Sequence, residues 1–114
     1  MQKPAGAISA SKQVLTNLEN RKLAELAERC SVRRLDLFGS AATGRFDPDR
    51  SDLDFLVDFE PLPPAAYGDA FFRLREGLES LFGRDIDLVT DVSLKNPWFR
   101  ERVNSERHTI FARG

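Results

Sequence analysis

Residues 51–59 constrain the fold of this chain more than any other stretch. Every second position from 53 to 59 is a large apolar residue, and the positions between them are mostly acidic. Side chains of a β-strand point to opposite faces at successive residues. The pattern therefore predicts a strand over Ser51–Phe59 that buries one face in a core and carries Asp52 and Asp54 on the other.

An earlier strand and a glycine turn precede this stretch. Val32–Phe38 has the composition of a strand, Gly39-Ser40 follows it, and Ser40–Gly44 is predicted to form a short helix. A glycine lets the backbone approach a ligand closely, and the first N–H groups of a helix favour a phosphate. Mg²⁺ is usually held by one or two carboxylates together with substrate phosphates, and the two aspartates of the next strand supply such carboxylates. The pairing of turn and carboxylates therefore suggests a nucleotide site.

The rest of the chain predicts a small α/β (α+β) domain. Apolar residues at helical spacing predict one helix over Ser11–Cys30, with a break near Asn20. Proline, glycine and asparagine residues mark the ends of two further helices. The later elements are a helix from Pro63-Pro64 to Gly83, a strand over Asp85–Thr90, a helix from Asn96-Pro97 and a strand over Thr109–Ala112. Helices between strands predict a mixed sheet of three to four strands flanked by helices. Residues 1–10 are expected to be a flexible N-terminus, and residues 11–114 a single domain.

Composition narrows the function classes. The 114 residues carry a net charge of −1, so there is no cationic field that would make nucleic acid a main ligand. Cys30 has no second cysteine with which to pair, which favours a buried thiol and a cytoplasmic location. No run reaches the roughly 18 apolar residues of a membrane span.

The motif resembles that of a known family. A Gly-Ser pair, a glycine-containing loop and a Ser-Asp-x-Asp sequence are together similar to the signature of the DNA polymerase β-like nucleotidyltransferase superfamily. The matching residues are Gly39, Ser40, Gly44, Ser51, Asp52 and Asp54. The small size resembles its minimal nucleotidyltransferase (MNT) domain proteins, and the resemblance covers roughly Leu23 to Phe111. It implies a polymerase β-like fold and an enzyme that uses ATP with one or two Mg²⁺ ions.

The resemblance also implies roles for individual residues. The catalytic and metal-binding residues would be Asp52, Asp54 and Asp87, and the nucleotide would contact Gly39, Ser40, Gly44, Arg45 and Ser51. Asp87 is matched because the family strand typically ends in Asp-Leu-Val, and Asp85, two residues earlier on the same face, is the competing assignment. The acceptor hydroxyl would attack the α-phosphate, and pyrophosphate would leave.

Two departures from the family pattern concern the phosphates. Eleven residues, 41–51, separate Ser40 from Asp52, one more than the commonest MNT spacing. Thr43 stands where many relatives have a basic residue, and Arg45 is the candidate replacement. The expected consequence is a change in affinity for the triphosphate.

The family also suggests a partner. MNT proteins commonly pair with a helical HEPN toxin, and the MNT protein acts as antitoxin by transferring AMP from ATP to a tyrosine of the toxin. The alternatives are a non-catalytic antitoxin that neutralises a HEPN partner by contact and a nucleotide-binding module. Homo-oligomerisation stays open. Trp98 and Phe72 do not fit the apolar stripes of their helices, so they belong either to the core or to a contact surface.

Overall fold

The structure, a computed structural model, describes residues 17–43 and 52–113. Residues 1–16, which include the predicted flexible N-terminus, lie outside them. The helices and strands are α1 (Asn17–Arg29), β1 (Val32–Phe38), α2 (Ser40–Thr43), β2 (Leu53–Phe59), α3 (Pro64–Phe82), β3 (Ile86–Thr90), a 3-10 helix (Asp91–Lys95), α4 (Pro97–Glu106) and β4 (His108–Ala112). None of the helices in these described parts is long and apolar enough to cross a membrane.

The four strands form one mixed sheet in the order β3-β2-β1-β4. β1 pairs antiparallel with β2 and with β4, whereas β2 and β3 run parallel. A parallel pair needs a long crossover connection, and α3 lies in the connection between β2 and β3. The predicted fold class, a small mixed sheet flanked by helices, is confirmed.

One face of the sheet packs against α1 and α3. The apolar positions of β2 point into this core as predicted, and Leu53, Phe55 and Val57 are each at most 1% exposed. The Phe55 ring lies 5.8 Å, between centroids, from the ring of Phe82 at the end of α3. Burial of these side chains away from water is the main force that holds the two helices to the sheet.

The opposite face of the sheet is covered by α4 and the 3-10 helix. A smaller apolar cluster lies here, with Phe38, Leu56 and Val103 at its centre. The Phe38 ring meets the Phe99 ring edge to face at 5.7 Å between centroids. Asp54 of β2 belongs to this same face, so α4 lies beside the carboxylates that the motif singles out.

The predicted helix ends are found where the sequence places them. The Asn96 side chain accepts hydrogen bonds from the N–H groups of Trp98 and Phe99, which caps α4. Gly83 adopts a left-handed conformation with φ of +67° and ends α3. The predicted break at Asn20 is wrong, because α1 runs through this residue without interruption.

The two aromatic residues outside the apolar stripes are both exposed. Trp98 at the start of α4 is 82% exposed, and Phe72 on α3 is 60% exposed. Of the two alternatives that the sequence left open, burial in the core is therefore excluded. The two residues lie on helices that cover opposite faces of the sheet.

Candidate active site

The site is built around the turn that ends β1. Gly39 has φ of +78°, a left-handed conformation that residues with a side chain rarely adopt. A Cβ atom added at Gly39 would overlap the carboxylate of Asp54. Glycine is therefore required here twice, by the backbone conformation and by the close approach of a carboxylate to the turn.

Sheet register brings two of the predicted carboxylates together. Asp54 is the cross-strand partner of Phe38 on β1 and of Asp87 on β3. Since neighbouring strands lie about 4.8 Å apart and paired residues point to the same face, the two aspartates stand side by side next to the turn. Asp52, one residue before β2, is exposed, as is Asp87.

The register also separates the two candidates for the third carboxylate. Asp87 is paired with Asp54, whereas Asp85 precedes β3 and its backbone carbonyl accepts a hydrogen bond from the Leu53 N–H at 3.3 Å. Asp85 therefore lies two residues before the position that pairs with Asp54. This placement favours Asp87, and its catalytic role stays a prediction.

Burial and nearby negative charge together weaken the acidity of Asp54. Burial is the larger cause and the neighbouring Asp87 the second, and with Arg102 acting in the opposite direction they raise the pKa of this carboxyl to about 6. Asp52 and Glu106 add smaller increases. An ionised Asp54 is therefore held at a cost in free energy, which a bound cation would remove.

The donor set suits a cation that keeps part of its own water shell. Within residues 17–43 and 52–113, no three acidic, histidine or cysteine side chains converge on one point as a complete metal cage. Mg²⁺ does not need such a cage, because it is usually held by one or two carboxylates with waters and substrate phosphates in the remaining positions. The carboxylates of Asp54 and Asp87, which occupy paired positions on neighbouring strands, fit that arrangement.

Glu106, at the end of α4, is a part of the site that the sequence did not predict. Its Oε1 atom accepts a hydrogen bond from the Gly39 N–H at 3.0 Å, and its side chain is only 13% exposed. The Nε atom of Arg102, one helical turn earlier, lies 3.6 Å from the same oxygen. The spacing of these two residues in the sequence predicts an ion pair on a helix, but not that the helix ends against the glycine turn.

Asp36 is the second residue whose position the sequence did not reveal. It lies on β1 with no exposed surface and forms ion pairs with Arg34 and Arg107. A buried carboxylate is stable only when it is paired in this way. Arg107 directly follows α4, so the pair fixes the end of this helix to the sheet.

The remaining predicted nucleotide contacts are described only in part. Ser40 begins α2, a single helical turn, and is partly exposed. Gly44, Arg45 and Ser51 lie outside the described residues. Their proposed contacts with the nucleotide stay predictions.

Known proteins resemble this chain in sequence and in fold. The protein adenylyltransferase MntA of Thermococcus cleftensis is 46% identical over 72 residues, which are 63% of this chain and 69% of the relative. A solved structure assigned as a minimal nucleotidyltransferase has 34% identity and a TM-score of 0.64, with 80% of this chain and 88% of that chain covered. A structure of an MntA–HpeT toxin–antitoxin mutant shares the fold, with a TM-score of 0.60 at 21% identity over 82% of this chain and 73% of the other.

A family model also matches most of the chain. The model of the nucleotidyltransferase domain covers residues 20–111, which include the glycine turn, Asp52, Asp54 and Asp87. The chain therefore belongs to the nucleotidyltransferase domain family and is a nucleotidyltransferase, as its Gly-Ser and Asp-x-Asp motifs predict.

Proposed function

We propose that this nucleotidyltransferase moves an adenylyl group from ATP to a hydroxyl group of another protein. The observation that carries the proposal is the cluster in which Asp54 contacts the glycine turn and stands beside Asp87. Such a cluster offers a phosphate-binding backbone and cation-binding oxygens at one point of the fold. The choice of AMP and of a protein acceptor follows the 46% identical relative, which is named a protein adenylyltransferase.

Each group of the cluster has a task in the proposed reaction. The backbone at Gly39 and Ser40 positions the phosphates of ATP, and Asp52 and Asp54 hold the magnesium ion. When bound, Mg²⁺ supplies positive charge that stabilises the triphosphate and the leaving pyrophosphate. Asp87 contributes oxygen to a second cation or receives the proton of the acceptor hydroxyl.

Bond changes balance without any further reactant. The acceptor oxygen forms a bond to the α-phosphorus of ATP, and the bond between this phosphorus and the bridging oxygen to the β-phosphate breaks. The hydroxyl proton passes to a carboxylate of the site, and pyrophosphate carries away the electron pair of the broken bond. Transfer of this kind depends mainly on alignment and charge stabilisation, which side chains held on paired strands of a sheet provide.

We further propose that the acceptor is a tyrosine of a HEPN-type toxin and that the chain acts as its antitoxin in the cytoplasm. Support comes from the fold shared with the MntA–HpeT toxin–antitoxin. The chain also offers a large exposed aromatic side chain, Trp98, on the helix that ends at the site. Exposed aromatic residues are common anchors of protein–protein contacts.

The experiment combines ATP and Mg²⁺ with a lysate of the source cell and follows modified proteins by mass spectrometry. Wild type is compared with Asp54→Asn and with the control Asp69→Asn, which removes an exposed carboxylate on α3 that pairs with Arg73. We expect AMP on a tyrosine of one helical protein with wild type and control, and none with Asp54→Asn. If wild type and both variants bind and neutralise the same partner equally, and this partner carries no AMP, neutralisation by contact would replace adenylyl transfer as the proposed function.

A further inference from the structure

Glu106 is a nearly buried carboxylate of the site that the proposed chemistry does not use. Its side chain is 13% exposed, and its Oε1 atom accepts the Gly39 N–H at 3.0 Å. This N–H belongs to the turn that the proposed function assigns to the phosphates of ATP. A carboxylate oxygen thus takes the place that a phosphate oxygen would need.

The position of Glu106 is built into the fold. Arg107, the next residue, is bound to the fully buried Asp36 of β1 and donates to the side-chain oxygen of Asn104 at 2.9 Å. Val103, in the same turn, has no exposed surface and packs against the sheet. Val103 before Glu106 and Arg107 after it both bind the end of α4 to the sheet. The contact of Glu106 with the glycine turn is therefore set by the fold and is not one chance conformation of a surface side chain.

Two anions cannot share this turn. A carboxylate and a phosphate oxygen compete for one N–H donor, and a negative charge at this distance repels an approaching triphosphate. Glu106 also lies close enough to Asp54 to act on it electrostatically. The arriving nucleotide therefore meets one more negative charge than the predicted catalytic set supplies.

We propose that Glu106 is an internal substitute for a phosphate group, which occupies the Gly39 N–H until ATP displaces it. Arg102, whose Nε lies 3.6 Å from the Glu106 carboxylate, is the group that holds this carboxylate once it leaves the turn. Glu106 then sets the affinity for nucleotide, because binding includes the loss of a charge-assisted hydrogen bond. The proposal rests on the proposed function, since it takes the glycine turn as the phosphate site.

The test measures nucleotide binding without transfer. The probe is α,β-methylene-ATP with Mg²⁺. In this analogue a methylene group replaces the oxygen between the α- and β-phosphorus, so pyrophosphate cannot leave, and the readout is isothermal titration calorimetry. Glu106→Gln keeps the shape of the side chain and its ability to accept the Gly39 N–H but removes the charge. The control Glu101→Gln makes the same change at an exposed position of α4.

We expect Glu106→Gln to bind the probe about tenfold more tightly than wild type, because a charge-assisted hydrogen bond is roughly twice as strong as a neutral one. Glu101→Gln should bind within about twofold of wild type, since solvent screens an exposed charge. Binding by Glu106→Gln where wild type binds too weakly to measure would also support the proposal.

Two results would overturn it, and they differ in what they say about the proposed function. Equal or weaker binding by Glu106→Gln, with measurable binding by wild type, rejects the displacement by ATP and leaves adenylyl transfer standing. Weaker binding would in addition indicate that Glu106 helps to bind the cation. Absence of binding by both chains, in samples with native circular dichroism, rejects the phosphate site itself and both proposals with it.

Discussion

Replacement of Asp54 by asparagine should stabilise the protein in the absence of metal. Burial and the neighbouring Asp87 raise the pKa of the Asp54 carboxyl from its ordinary value of 3.8 to about 6. That difference corresponds to about 3 kcal/mol between the ionised and neutral forms. Because the carboxyl is partly open to solvent, which screens the repulsion, we expect asparagine to raise the free energy of unfolding by about 1–2 kcal/mol at neutral pH.

The direction of the pH dependence follows from the raised pKa. Below about pH 3 the carboxyl is protonated in both the folded and the unfolded chain, so wild type and Asp54→Asn should be equally stable. As the pH rises through the folded-state pKa, the wild type alone must hold an unfavourable charge in the fold. The stability difference should therefore appear between about pH 4 and pH 6 and stay constant above it.

Urea denaturation in EDTA, followed by circular dichroism at several pH values, measures this difference. Asp85→Asn is the matched control, because Asp85 is exposed and surface substitutions usually change stability by less than about 0.5 kcal/mol. Excess Mg²⁺ should narrow the gap between wild type and Asp54→Asn by stabilising the wild type alone. A variant that is less stable than wild type at neutral pH, or a gap that is independent of pH, would refute the reasoning.

Three further results are expected. Gly39→Ala should lose about 1–3 kcal/mol of stability, because residue 39 has a left-handed backbone and the Asp54 carboxylate lies close to it. Gly68→Ala on α3, with open space around it, should instead gain up to about 1 kcal/mol. Urea denaturation measures the stability of both variants. Arg107→Met should cost about 2–4 kcal/mol by the same assay, because it leaves the buried Asp36 with one partner fewer. Cys30 is buried and burial raises the pKa of its thiol, so iodoacetamide should label it only after unfolding.

Features that depend on local chemistry were predictable from the sequence. The alternation along β2 fixes which residues enter the core, since a strand has a period of two. Asn96 with Pro97, and Gly83, mark helix ends through hydrogen bonding and backbone conformation that any chain would share. The side-by-side placement of Asp54 and Asp87 needed one more step, namely the parallel pairing of β2 and β3.

Features that depend on tertiary packing were not predictable in the same way. In the sequence, Asp36 resembles an ordinary polar position of a strand. Its burial depends on ion pairs with Arg34 and with Arg107, and only the fold brings Arg107, which follows α4, to this strand. Glu106 carries no motif, because its role follows from where the helix ends against the turn. Asn20 was expected to break α1. An asparagine inside a helix costs well below about 1 kcal/mol of stability relative to alanine, and the packing of α1 against the sheet offsets this cost.

Label transfer from ATP tests most directly whether the cluster at Asp54 carries nucleotidyl transfer. Reactions contain Mg²⁺ and a lysate of the source cell, with ATP labelled either at the α- or at the γ-phosphate, and compare wild type with Asp54→Asn. We expect the protein-bound label that appears with wild type and not with Asp54→Asn to come only from the α-labelled nucleotide, with the γ-label in released pyrophosphate. Label from the γ-phosphate that depends on the added wild type, or α-label that appears equally with Asp54→Asn, would contradict the proposed chemistry and the role of this carboxylate.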